Sequence, residues 1–183
     1  LNPDYVDRRE LKINENFSLK DKNGNEIGIN IEAFEVPGKI ALWLEDESKG
    51  KDFGTKDGDT IGLKIFSENY DKYFFYIPAC AKMTEELAKR ISGAEVVLFD
   101  GTLWTNDEMA RHGISDKLAS EMGHLDQSSK GGIMETLISL EKPRKILIHI
   151  NNTNPILDED SSERKKLTEA GIEVSFDGMD IVI

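Results

Sequence analysis

Two short, uninterrupted apolar runs constrain this chain more than any other feature: AEVVLFD at residues 94–100 and KILIHI at 145–150. Each is one strand long, far below the ~18 apolar residues of a membrane span. A strand with no polar alternation suits a sheet covered on both faces, so this part of the chain has to be layered. The segments around the runs read as helices. Thr84 is placed to cap a helix through Ile91, with Glu85 and Glu86 near its positive end. Ile133, Met134, Leu137 and Ile138 share one helical face before Pro143 stops that helix. Ser161 or Ser162 caps a third helix to Ala170, which Gly171 ends, and IEVSF and DIVI read as closing strands.

The first third has a different texture. Asn23-Gly24 lies between two strand-like runs, a strong hairpin signal. KIALWLE (39–45), TIGLKIFS (60–67) and KYFFYI (72–77) read as further strands, with a glycine-rich polar loop at 46–59 and a turn at Asn69–Asp71. Residues 105–130 are polar and undecided by pattern. β-rich sequence giving way to strand–helix alternation is an α/β (α+β) signature. At 183 residues the chain suits one domain, 1–183.

Bulk chemistry removes several partner classes. A net charge of −12 disfavours nucleic acid, which demands clustered Lys and Arg, and anionic membranes likewise. The single cysteine, Cys80, excludes an intrachain disulfide and any Cys-rich zinc site, and fits a reducing compartment. No signal peptide is expected. The chain opens on Leu1, followed by polar, strand-like sequence, which predicts a fragment or a processed product.

Chemistry concentrates at strand ends, where layered α/β proteins usually bind ligands. VVLFD delivers Asp100, KILIHI delivers His149 and a run of asparagines, and EMGHLDQSS places His124 after a glycine. A carboxylate and two imidazoles in one cleft suit a metal site or an acid–base pair. The plain readings stand beside this one. Asp100 can cap a turn, His149 can be a core histidine bonded to a carbonyl, and His124 can be an exposed loop residue. His112 suits a helix C-terminus, Cys80 a small buried hydrophobe, and INNTNP an Asn-rich turn. No Walker-type loop, dinucleotide fingerprint or Gly-x-Ser-x-Gly elbow is present.

The stretches EAFEVPGKIALWLED, FGTKDGDTIGLKI, LFDGTLWTNDEM, MGH and ILIHINNTNP, with DSSER and AGIEVSFDGMDI, closely resemble the PQQ biosynthesis protein B family of the metallo-β-lactamase superfamily. The resemblance runs in order over nearly the whole chain, and LFDGTLW with HINNTNP is its most specific part. It implies an αββα sandwich, a cytoplasmic location and a role in making pyrroloquinoline quinone (PQQ). The activity it implies is an Fe(II)-dependent hydroxylase, with zinc as the alternative metal, acting on the tyrosine ring of a crosslinked Glu–Tyr precursor. Two rivals are a non-enzymatic carrier of PQQ or its precursor towards the periplasm, and a metal-dependent hydrolase. Other PQQ biosynthesis proteins are implied partners. By resemblance His149 is the C-terminal metal ligand, and Asp100 and His124 are a proton-relaying catalytic pair. The same resemblance implies that Asn151, Asn152, Thr153 and Trp104 bind substrate, the asparagines shaping the pocket rim.

The departures from the family pattern matter as much. The H-x-H-x-D-H metal loop and the cysteine cluster for structural zinc are absent, so the chain resembles the C-terminal part of a family member. EVPGK stands where hydrolytic relatives have a ligand histidine, and YIPAC where they have a bridging aspartate, which disfavours a two-metal hydrolase. Residues 1–70 contain no histidine or cysteine to compensate. The expectation is therefore a truncated domain that binds metal weakly or not at all, is inactive alone, and exposes apolar sheet surface favouring a homodimer.

Overall fold

A computed structural model describes residues 2–6, 8–40, 48, 56 and 58–183. Among these residues seven strands form one sheet whose spatial order is the sequence order. Strands β1 (Asn16–Lys20), β2 (Glu26–Glu35), β3 (Ile61–Ser67) and β4 (Tyr70–Ile77) are antiparallel neighbours. From β4 onward the pairing is parallel, through β5 (Val96–Asp100), β6 (Arg144–Ile148) and β7 (Ile172–Val174). Parallel neighbours need long crossovers, and helices supply them. Helix α1 (Glu85–Ile91) joins β4 to β5, α2 (Glu108–Arg111) and α3 (Ile133–Ser139) lie between β5 and β6, and α4 (Ser162–Glu169) joins β6 to β7. The two apolar runs at 94–100 and 145–150 thus form adjacent central strands.

The register shows which face the helices cover. Ile77, Phe99, Leu147 and Val174 sit opposite one another across four strands and are all buried. They share a core with Leu87 and Ile91 of α1, Ile133 and Leu137 of α3, and Leu167 of α4. The caps are as the sequence predicts: Thr84 accepts from Leu87 N at 3.1 Å, and Ser161 accepts from Arg164 N at 3.0 Å.

The opposite face carries Leu63, Tyr76 and Leu98 in one row and Ile65 and Phe74 in the next, all half-buried. Their strand partners Val96 and Ile146 are buried there, and none of these residues belongs to the core cluster in which the helices pack. The C-terminal tail reaches this opposite face, because Ile183 lines a cavity with Ile29, Ile65 and Phe74. This is the face on which the second sheet of an αββα sandwich would lie.

Four sequence expectations need correction. DIVI is not a strand, since the chain turns at Gly178 (φ +84°) and its end, Ile183, lies over the sheet face among side chains rather than along a strand edge. Ile138 is 53% exposed, because α3 reaches the core only through the Ile133–Leu137 pair and the flanking Met134. The run 145–150 leaves the sheet after Ile148, so His149 lies beyond the strand and is exposed rather than buried. Lys39 and Ile40 are outside any strand, and the rest of the strand expected at 39–45 lies outside the described residues, as does most of the loop at 46–59.

Candidate functional site

Asp100 ends β5 with no solvent exposure, and a buried carboxylate is tolerated only when hydrogen-bonded. It has four donors. Oδ2 accepts from Cys80 N at 3.1 Å and lies 2.7 Å from His124 Nδ1. Oδ1 accepts from Thr102 N at 3.1 Å and from Thr102 Oγ1 at 2.5 Å. The Thr102 hydroxyl also lies 3.2 Å from His124 Nδ1, closing a three-residue network. Asp100 is therefore both the turn cap and the histidine partner, so the two readings of it do not compete. Because the carboxylate accepts, His124 Nδ1 carries the proton, and Nε2 is the nitrogen left for chemistry. The His124 side chain is 24% exposed, enough for a ligand to reach it.

Two glycines make this arrangement fit. Gly101 donates to Ile148 O at 2.7 Å, and a Cβ there would come 2.8 Å from Leu147 Cβ. Gly123 has φ +85° and packs on Lys39, allowing the turn that aims His124 inward. The loop after Asp100 is held from several sides. Gly101 O accepts from Gln127 Nε2 at 2.6 Å and Asn154 Nδ2 at 3.0 Å, and Thr102 O accepts from Asn151 N at 3.0 Å. Cys80 O accepts from Leu125 N at 2.6 Å, tying the segment after β4 to the residue after His124.

His149 sits beside this network, between Ile148, which bonds Gly101, and Asn151, which bonds Thr102. Its φ is +55°, a left-handed conformation that costs a non-glycine residue roughly 1–2 kcal/mol. Strain of that kind collects at functional positions. Its Nε2 is 2.9 Å from the Tyr76 hydroxyl.

The residues assigned to substrate are placed differently. Trp104 is 8% exposed and part of the core, and its N donates to Glu108 Oε2 at 2.6 Å. Thr153 Oγ1 donates to Glu108 Oε1, and Asn151 Nδ2 donates to Thr153 Oγ1 at 2.7 Å. The buried Glu108 thereby ties the Trp104 and Thr153 loops together. Asn152 is exposed. Sequence reasoning missed Thr102 and Tyr76. Thr102 has a sequence signal, a hydroxyl two residues after a carboxylate, in reach of an Asx-type turn. Tyr76 has none, because only strand register brings β4 towards the residue after β6.

A metal cradle fits these residues poorly. No group of three or more His, Cys, Asp or Glu able to hold a metal occurs among the described residues. Both Asp100 oxygens and His149 Nε2 are already bonded within the protein. About three protein ligands are needed for a mononuclear iron centre, and the described residues do not provide them.

Cys80 is buried with its Sγ donating to Lys82 O at 3.3 Å. Burial pushes its thiol from 9.0 to about 12, the Lys82 hydrogen bond opposes that, and the Asp100 charge adds to it. Ellman's reagent at pH 8 should leave it untouched in the folded chain and titrate it once guanidinium unfolds the protein. Because the folded value is the higher one, its stabilising contribution is complete below pH 9 and is lost as pH rises from 9 towards 12. Rapid modification of the native chain would contradict that burial.

Residues 1–150 match the family described as Beta-lactamase superfamily domain, and the chain belongs to that superfamily. Within it the chain is similar to coenzyme PQQ synthesis protein B. It is 45% identical to that of Gluconobacter oxydans, covering 98% of this chain and 56% of the relative. It is 44% identical to that of Gluconacetobacter diazotrophicus, covering 99% and 58%. The crystal structure of Zn(2+)-bound PqqB from Methylobacterium extorquens superposes with a TM-score of 0.86 at 37% identity, covering 99% of this chain and 57% of that one. The chain therefore spans somewhat over half the length of these relatives. No described helix is long and apolar enough to cross a membrane.

Proposed function

We propose that this chain carries the proton-handling side of a centre that makes PQQ, and that the whole protein is an iron-dependent hydroxylase of the tyrosine ring in a Glu–Tyr-derived precursor. The observation that carries this reading is the Asp100–Thr102–His124 network at the carboxyl end of β5, with His149 beside it. Buried Asp100 holds Nδ1–H of His124 and so presents Nε2 to take a proton from a substrate phenol or return one, a role typically worth roughly 10²–10⁴-fold in rate. Similarity to PQQ synthesis proteins B over nearly the full chain, one of them solved with zinc, supports the pathway and a metal. The remaining ligands would come from protein beyond these residues, with zinc the alternative to iron. Asn152, exposed three residues after His149, is the rim residue offered to substrate in this reading.

The 183-residue chain, mixed with Fe(II) or Zn(II) and desalted, should retain no stoichiometric metal. The full-length protein should retain it and consume oxygen with a Glu–Tyr precursor. Tight stoichiometric metal on the chain alone would show that its own residues complete the centre. Tight PQQ or precursor binding by the full-length protein with no oxygen uptake would favour a carrier.

A further inference from the structure

The Tyr76–His149 contact has a geometry that chance surface pairing does not explain. Tyr76 lies on β4 opposite Leu98 of β5, on the sheet face away from the helix-packed core. His149 follows β6, the strand on the far side of β5. Neighbouring strands are roughly 4.8 Å apart, so the phenol reaches across β5 to meet the imidazole, with Oη 2.9 Å from Nε2 and the rings edge-on at 61°. The His149 backbone is held in the left-handed region at φ +55° by bonds on either side of it, from Gly101 N to Ile148 O and from Asn151 N to Thr102 O. Backbone and side chain are thus both fixed, next to the loop that carries Asp100 and Thr102.

We propose that Tyr76 is a positioning residue of this site: its hydroxyl donates to Nε2 of His149, selects the Nδ1–H tautomer, and holds the imidazole where the chain leaves β6, next to the Gly101–Thr102 loop. A phenol is far more acidic than a neutral imidazole N–H, so the phenol is the donor and the Nε2 lone pair the acceptor. The hydroxyl then marks the place of whatever His149 binds. A ligand that takes Nε2 displaces Tyr76 Oη, and the released phenol remains beside the newcomer as a hydrogen-bond donor. This rests on the reading above that His149 belongs to the working centre.

The test uses the full-length protein stripped of metal, labelled with ¹⁵N-histidine, with His149 assigned by loss of its signals in His149→Gln. Long-range proton–nitrogen correlation should show His149 as a single Nδ1–H tautomer in the wild type and as a mixture in Tyr76→Phe, with the thermal midpoint little changed. PQQ formed in cells that carry the variant as their sole copy should fall about tenfold for Tyr76→Phe, the lower end for partners that orient ligand residues. A wild-type His149 already in mixed tautomers, which needs no variant to observe, overturns the proposal. So does loss of PQQ without a tautomer change, or a tautomer change without loss of PQQ. If His149→Gln abolishes PQQ while Tyr76→Phe does not reduce it, the proposal alone fails. If His149→Gln costs nothing, the reading of the site fails and the proposal falls with it.

Discussion

Asp100→Asn should reduce PQQ formation by the full-length protein by about 100-fold or more while leaving it folded. The wild-type carboxylate accepts from four donors, those of Cys80, Thr102 (N and Oγ1) and His124. An asparagine offers one acceptor oxygen and one NH₂. If the NH₂ takes the Oδ2 position, it confronts Cys80 N–H and makes His124 Nδ1 an acceptor, which moves the proton to Nε2. The nitrogen that should handle the substrate proton is then blocked by the wrong tautomer. If the NH₂ takes the Oδ1 position, it meets Thr102 N–H instead, and His124 Nδ1–H faces a neutral amide oxygen that does not stabilise the imidazolium as a carboxylate does. Either way a buried donor is left unmatched, costing about 1–3 kcal/mol, which lowers the melting temperature without unfolding a typical domain. The catalytic loss should approach the roughly 10²–10⁴-fold typical of a missing acid–base group. PQQ output in cells, measured beside thermal unfolding of the purified variant, decides the matter. Output within a few-fold of wild type would remove Asp100 and His124 from the chemistry.

Phe99→Ala should destabilise the chain far more than the same truncation of its strand neighbour Leu98. Phe99 has no exposure, sits between Ile77 and Leu147 in the central row, and lies one residue before Asp100. Emptying that position costs about 3–5 kcal/mol in a core that cannot fully collapse. For a chain of this size each kcal/mol is roughly 2–4 °C of melting temperature, so a fall of about 6–20 °C is expected. Leu98 is the internal control, because it occupies the same strand, points to the other face and is itself only half-buried. In the isolated chain Leu98→Ala should cost roughly half as much or less, since part of its apolar surface already faces solvent. Equal costs for the two would mean that the second face is as well covered as the first.

Much of the architecture was legible locally. Apolar runs mark β5 and β6 because a strand packed on both sides excludes polar residues. Thr84 and Ser161 mark helix starts because orphan N–H groups need an oxygen nearby. Asn23-Gly24 marks the β1–β2 hairpin because the turn requires residues that tolerate positive φ. The misreadings share a cause too. DIVI and the last two residues of KILIHI are apolar enough for strands, yet hydrogen-bond partners, not apolarity, decide where a strand ends. Ile148 O still accepts from Gly101 N, but His149 at φ +55° turns the chain out of the ladder.

The amino-acid sequence by itself determined that Asp100, His124 and His149 stand at the ends of core strands or in the loop between them, and through resemblance which chemistry to expect of them. The tertiary structure decided what each atom does. His124 comes from a stretch whose pattern was undecided, and meets Asp100 only because Leu125 is tied to Cys80 and Gly123 adopts a turn closed to other residues without strain. Tyr76 finds His149 across an intervening strand, 73 residues away in the chain. Such contacts depend on register and on the direction of side chains across a sheet, which are properties of strand pairing. Local sequence specifies helices and caps because their partners lie within a few residues. It leaves open a site whose partners are dozens of residues apart.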